Sequence, residues 1–299
     1  MKKKTLLSVL LMLFLFAQQA AAMRFRIRVH GDSSGEPSPY MWIVYVVVIA
    51  IVLFGLYTYI PKIKSFYYMI VGGFRMDAKT KLNEDEQRKM LLSAPLSLQD
   101  KAVMNTIKTA LSFDDLNDEL KRIWKIKNHD SAIAMLSELK IGCTKSYIPQ
   151  IVEVLKGNKP VDQYLNDTFV LEKDIVACRQ EIEYASKSFD KLVKHGIVKD
   201  LDDFMHIGDA GSIACHLVYL ARKCFELDYI SEEEMWEYVN FADEIAHKSY
   251  HSWEDFGKST CIGYVLNGGV SFQLKAHIDA VKKLVEDPKS PWKTFPFGN

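Results

Sequence analysis

The stretch YISEEEMWEYVNFADEIAHKSYHSWEDFGKST, Tyr229–Thr260, opens on a helix start and closes on an aromatic-acidic turn. Ser231 and Glu234 stand three apart, the spacing in which a serine hydroxyl and a glutamate carboxylate reciprocally satisfy amides at a helix start. Glu232, Glu233 and Glu234 fall in the first turn, where unpaired amides and the helix dipole stabilise carboxylates without any metal or partner. Past the cap, Trp236 and Ile245 lie on the inward face, and Trp253 pins the turn that follows. The acids, histidines and tryptophans are dense enough to suggest a site. Each also has an ordinary packing role, and the stretch reads as scaffold.

Outward from it, apolar residues recur at three and four from Leu91 to the end, and no window alternates as a strand does. The spacing predicts a helix over 98–111, with Val103, Ile107 and Leu111 on one face, and another bearing Leu116, Leu120, Ile123 and Trp124. Asp130-Ser131 opens a helix with Ile133, Leu136 and Leu139 that stops at Gly142. A longer one starts at Pro160 and runs through Val170, Ile175, Cys178 and Ile182 to His195-Gly196. Segments 213–227 and 270–285 complete the pattern, which predicts an all-α, multi-helix globular domain of roughly eight to ten helices over 91–299.

The N-terminal part differs. Residues 1–22 have a basic start (Lys2, Lys3, Lys4), a short apolar core and a closing Ala20-Ala21-Ala22, the shape of a signal peptide. A short loop, 23–40, is expected to be translocated. Residues 41–60 carry no charge, and twenty helical residues at about 1.5 Å each cross the hydrocarbon layer, so a transmembrane helix in the lipid bilayer is expected there. Lys62, Lys64, Arg75, Lys79 and Lys81 follow, and the positive-inside rule then puts the C-terminal domain in the cytoplasm, behind a single pass through the membrane. Residues 61–90 read as an interfacial segment and a charged tether.

The chain balances 38 Lys and Arg against 38 Asp and Glu, without the broad basic footprint of a nucleic-acid binder, and no nucleic-acid partner is expected. Cys143, Cys178, Cys215, Cys224 and Cys261 are odd in number, widely spaced and form no CxxC, which suits a reducing compartment and buried structural roles.

Several motifs together resemble a bacterial family, the YbeU/YbeR-like proteins, whose shared region is domain of unknown function 1266. They are Leu220-Ala221-Arg222, Tyr229-Ile230-Ser231 with Glu234 and Trp236, and Ser252-Trp253-Glu254-Asp255-Phe256-Gly257 leading to Gly263. The Trp124 block and the closing Ser290-Pro291-Trp292 agree, so the resemblance covers about 91–297. It implies a shared fold and no established activity. The family pattern has an aspartate and an arginine where this chain has Ile213 and His216, and an arginine where it has Tyr264.

Catalytic candidates are Asp209, His216, Arg222, Glu244, His247 and His251. His247 and His251 stand four apart, but HKSYH lacks the glutamate of HExxH, and Glu244–His247 is a single ExxH where a di-iron bundle needs two. Neighbours Cys215 and His216 point about 100° apart on a helix and cannot pair directly. No metal or cofactor is expected. The sequence suggests a membrane-anchored helical interaction module that binds a protein partner. The alternative is a hydrolase with a polar pocket around Arg222, Glu244 and His247.

Overall fold

The computed structural model describes residues 73–157 and 160–298. The segments expected to be a signal peptide (1–22), a translocated loop (23–40) and a membrane span (41–60), together with residues 61–72, lie outside the described residues. Among the described residues all regular elements are helical, and none is long and apolar enough to cross a membrane.

The helices run α1 (Glu84–Met90), a 3-10 turn (Leu91–Ser93), α2 (Ala94–Asp100), α3 (Phe113–Arg122), α4 (His129–Gly142), α5 (Ile148–Leu155), α6 (Val161–Thr168) and α7 (Glu172–Lys194). They continue with α8 (Leu201–Ile207), α9 (Ala210–Glu226), α10 (Glu232–Ser249), α11 (Trp253–Leu266), α12 (Ser271–Glu286) and α13 (Pro291–Thr294). The all-α expectation holds; the helix count is higher because short helices fill the connections. The expected box starts α10: Ser231 Oγ accepts from Glu234 N and the Glu234 carboxylate accepts from Ser231 N at 2.7 Å. Asn128 rather than Asp130 or Ser131 caps α4, again as a box.

Three expectations need correction. The helix predicted over 98–111 ends at Asp100, because Lys101 turns left-handed (φ 58°) and the rest is an irregular loop held from outside. The long helix predicted from Pro160 breaks at 169–171. There Phe169 leaves the helix in an extended conformation and sets its ring edge-on to Tyr147 at 5.5 Å. The domain also begins before Leu91. Phe74, Met76 and Leu82 pack on the core, and Asn83 with Glu86 forms a capping box for α1. Arg88 then holds Asp243 on α10 with two bonds of 2.7 and 2.8 Å, so 73–90 is part of the fold and not a tether.

Two apolar cores are built. The first takes α1, α2, α3, α4, α9 and α10 with Trp253, Phe256, Trp292 and Phe297; the second takes α5 to α8 with the C-terminal half of α11 and Leu274, Ile278 and Val281 of α12. Helix α9 is the most enclosed, buried from Gly211 to Cys224 on nearly every side. It crosses α11 closely, and this explains Gly263: a Cβ there would lie 2.2 Å from Ser212 Cβ.

The C-terminal motif closes the first core. Trp253 stacks flat on Trp292 (4.9 Å, 4°), meets Phe256 and Phe297 edge-on, and donates to Phe295 O at 2.8 Å. Trp292 Nε1 donates to Leu91 O at 3.2 Å. The scaffold reading of the Trp253 turn is thus what the packing shows.

Candidate functional site

Along α9 the polar residues Asp209, Ser212, His216, Tyr219 and Lys223 are spaced 3, 4, 3 and 4. At about 100° per residue they fall within roughly 80° of arc and form one polar stripe along the helix. The stripe faces partners from both cores.

At its N-terminal end, Asp209 flanks α9 and accepts a hydrogen bond from Ser146 Oγ at 2.9 Å. Burial raises its carboxyl pKa, and the Ser146 bond opposes that shift. Glu181 of α7 lies close enough to feel it: burial first, and then the Asp209 charge, push the Glu181 carboxyl up to about 8. Glu181 Oε2 is buried with no hydrogen-bond partner, and so is Ser212 Oγ one turn into α9. Burial and the Asp209 charge thus both favour the protonated form of the Glu181 carboxyl.

The middle of the stripe is built of imidazoles. His216 Nδ1 donates to Ser212 O at 2.8 Å, which leaves the lone pair on Nε2. Burial lowers its pKa, helped by the Lys223 charge. His277 of α12 is also near, since the His216 charge acts on it after burial, and its pKa is pushed down to about 3. Gln99 Nε2 donates to His277 Nδ1 (2.8 Å), and Nε2 faces Thr260 Oγ1 (3.0 Å), whose proton goes to Gly257 O. Tyr264 stacks on His277 at 4.8 Å. Tyr264, one of the positions where the family resemblance expects an arginine, thus covers the buried His277 imidazole.

At the far end, Tyr219 donates to Asp100 Oδ2 (2.7 Å), while fully buried Lys223 pairs with Asp100 (3.3 Å) and Glu119 (2.6 Å) and sits 4.0 Å over the Tyr219 ring. On the adjacent face, Arg222 is 0% exposed. It donates to Ser93 and Ser97 hydroxyls (2.8 and 3.2 Å) and to Val103 and Lys108 carbonyls (2.5 and 3.4 Å), leaving Nε without a partner. Burial lowers its pKa to about 10, so it stays charged at neutral pH. Glu226 completes the grip on the same loop by accepting from Thr109 N, Thr109 Oγ1 and Ala110 N.

The predicted candidates therefore separate. Asp209 and His216 share the stripe. The pocket expected around Arg222, Glu244 and His247 is not formed: Arg222 holds the 101–111 loop, Glu244 is exposed on α10, and His247 belongs to the C-terminal closure. His247 faces Asp243 O through Nδ1 (2.9 Å) and Phe297 O through Nε2 (2.7 Å), and it stacks on Phe297 at 4.8 Å. His251 is exposed beyond the end of α10, so the two histidines do not share a site. Asp209, Ser212 and His216 form no nucleophilic triad, because Ser212 Oγ is unbonded and His216 Nδ1 is spent on a carbonyl.

Other motif residues are structural. Trp124 tilts against His216 at 6.0 Å, Tyr229 donates to Asn117 (3.2 Å), Glu234 also takes His129 Nε2 (2.8 Å), Trp236 reaches Glu232 (3.4 Å), and Ser252 caps α11. All five cysteines are unpaired; burial raises the thiol pKa of Cys143, Cys178, Cys215 and Cys224 to about 12, which leaves them unreactive. Among the described residues no three His, Cys, Asp or Glu side chains gather as a metal site requires. Sequence reasoning missed Glu181, Tyr219, Lys223 and His277. The first and last pair with the stripe only in space, while Tyr219 and Lys223 were visible in the 3-4-3-4 spacing.

A pH test follows from Glu181. Its folded pKa lies above the ordinary value, so between about pH 4.5 and 8 the folded carboxyl keeps a proton that the unfolded one has lost. Stability should fall as pH rises through that window and level off above it. Glu181→Gln should remove this slope, leaving stability near pH 4.5 little changed and raising it at pH 8 by about 2–4 kcal/mol. Urea melts of a 73–299 fragment at several pH values would show it; parallel curves for both proteins would reject a buried, protonated Glu181.

No curated protein and no solved structure matches the chain. A family model described as a protein of unknown function, DUF1266, matches residues 119–297, from α3 through the Trp124 block, the Leu-Ala-Arg helix and the Ser252–Gly257 turn to the closing tryptophan motif. With more than half of its length matched by that model, the chain belongs to the DUF1266 family of proteins of unknown function.

Proposed function

We propose that this is a membrane-anchored interaction module, a helical domain held at the cytoplasmic face of a bacterial inner membrane by residues 41–60, where it binds a protein partner. The observation that carries the reading is how the chemistry-bearing side chains are used. Arg222 spends its donors on a loop and His247 holds the chain end, bonds that build a rigid platform. Large apolar side chains remain outside: Val170 is 99% exposed, with Leu171 and Val176 about half exposed beside it at the start of α7. The charge-free stretch at 41–60 and the basic residues after it support the anchor and its orientation.

Affinity recovery of the tagged full chain from detergent-solubilised membranes tests this. A protein recovered with the wild type and lost with Val170→Asp/Leu171→Asp is the expected result, and only background proteins in repeated pulldowns would overturn it.

A hydrolase is the second reading, and the Glu181–Asp209 pair is the observation that favours it. A neutral carboxyl beside an ionisable one is the arrangement acid–base hydrolysis uses. Turnover of generic chromogenic esters, phosphate esters or glycosides that disappears in a folded Asp209→Asn variant would favour this reading over the first.

A further inference from the structure

The imidazoles of this domain are not used alike. His277 is engaged on both nitrogens, by Gln99 at Nδ1 (2.8 Å) and Thr260 at Nε2 (3.0 Å), and each nitrogen of His247 faces a carbonyl oxygen. His216 has only one side occupied. Its Nδ1 donates to Ser212 O, one turn back along α9, which fixes the ring and leaves the lone pair on Nε2.

That lone pair meets no donor among the described residues, yet the atom is not sealed. The buried side-chain atoms without a partner are Gln150 Oε1, Glu181 Oε2, Ser212 Oγ and Arg222 Nε, and His216 Nε2 is not one of them. An unbonded nitrogen that is not sealed meets solvent, and His216 is accordingly half-buried where His277 is 1% exposed. The half-buried indole of Trp124 stands beside the ring, with centroids 6.0 Å apart and planes tilted by 57°. This spacing is too short to admit a third ring between the two. A ligand therefore lies along the open edge of the pair, with a flat face to the indole and a donor to Nε2.

The kind of donor follows from the imidazole. Burial lowers the basicity of His216, and the Lys223 ammonium acts in the same direction, so Nε2 is unprotonated at neutral pH and is a weak acceptor. A weak acceptor is best served by an acidic hydroxyl, and a phenolic O–H, with a pKa of about 10, donates more strongly than an aliphatic one. We infer that the edge formed by His216 Nε2 and the Trp124 indole is a small-ligand site for a phenol-type molecule, whose hydroxyl donates to Nε2 while its ring packs on the indole. Seven residues, about 10 Å of helix rise, separate His216 from Asp209, so the site is distinct from the Glu181–Asp209 pair.

The test treats the full chain, in uncharged detergent near neutral pH, with diethyl pyrocarbonate, and reads each histidine by mass spectrometry. The reagent acylates unprotonated, accessible imidazole nitrogens and so reports the open lone pair directly. His216 should react about tenfold or more faster than His277, whose slow reaction also reports that the domain is folded. Phenol at about 10 mM, a concentration suited to so small a ligand, should slow His216 by about threefold or more and leave exposed His206 and His251 unchanged. Anisole, with the same ring and no O–H, should give no protection. In Trp124→Leu, His216 should still react and the effect of phenol should be lost while His277 stays slow; the comparison of phenol with anisole does not depend on that variant. A His216 no faster than His277 would show a closed nitrogen and overturn the site. No slowing by phenol, equal slowing by anisole, or protection that survives Trp124→Leu would overturn the assigned ligand.

Discussion

Replacing Trp253 by alanine lowers the stability of the domain by about 3–5 kcal/mol, the range for deleting a large buried aromatic when the surroundings cannot collapse into the space. The indole is 7% exposed and lies flat on Trp292, with Phe256 and Phe297 against its other sides. Its Nε1–H is also the donor to Phe295 O, so the alanine leaves that carbonyl without this bond. Two tryptophans in contact cannot both be replaced additively, and Trp253→Ala/Trp292→Ala should cost less than the sum of the single changes. Urea melts of the 73–299 fragment measure all three. A Trp253→Ala loss below about 1 kcal/mol would mean that the indole is not part of the closed core.

The second large effect belongs to Arg222. Arg222→Met keeps much of the volume and removes the cost of burying a cation, yet it leaves the Val103 and Lys108 carbonyls without their guanidinium and strips the donor from the Ser93 and Ser97 hydroxyls. Each buried polar group left unpaired costs about 1–3 kcal/mol, and the net destabilisation expected is about 2–4 kcal/mol. The loss should be local as well as global. Amide exchange over 101–111 should accelerate before the rest of the domain opens, because the loop then loses its buried hold at Val103 and Lys108 and keeps only the bonds to Glu226 and to the 75–87 segment. Unchanged exchange at Val103 and Thr109 in the variant would show that the loop is fixed by its apolar residues instead.

Local signals survived the passage from sequence to structure, and long-range ones did not. The α10 cap was legible because Ser231 and Glu234 contact each other across a single turn. The 98–111 segment was misread because Val103, Ile107 and Leu111 keep a helical spacing, while the groups that hold the backbone out of a helix, Arg222 and Glu226, come from more than a hundred residues away. The break at Phe169 carries no glycine or proline to mark it; a ring packed on Tyr147 makes it. By contrast, the Asn83–Glu86 box was readable and was hidden only by the charge of its neighbours. In the polar stripe, Asp209 and His216 could be picked out by residue type. Their chemistry depends on Glu181 and His277, whose approach no spacing along one helix reveals.

The closing motif also sets an order of events. The carbonyl of Leu91 meets Trp292 across 201 residues, and Arg88 meets Phe297 across 209. At roughly 5–20 residues per second, the first helix therefore waits about 10–40 s for its partner to be synthesised. During that interval the faces of α1 and α11 that the last residues cover stand open to solvent, and chaperones would meet an unfinished surface. Completion of the first core therefore waits on the synthesis of Trp292, and a chain that stops short of that residue lacks both the stack on Trp253 and the bond to Leu91 O.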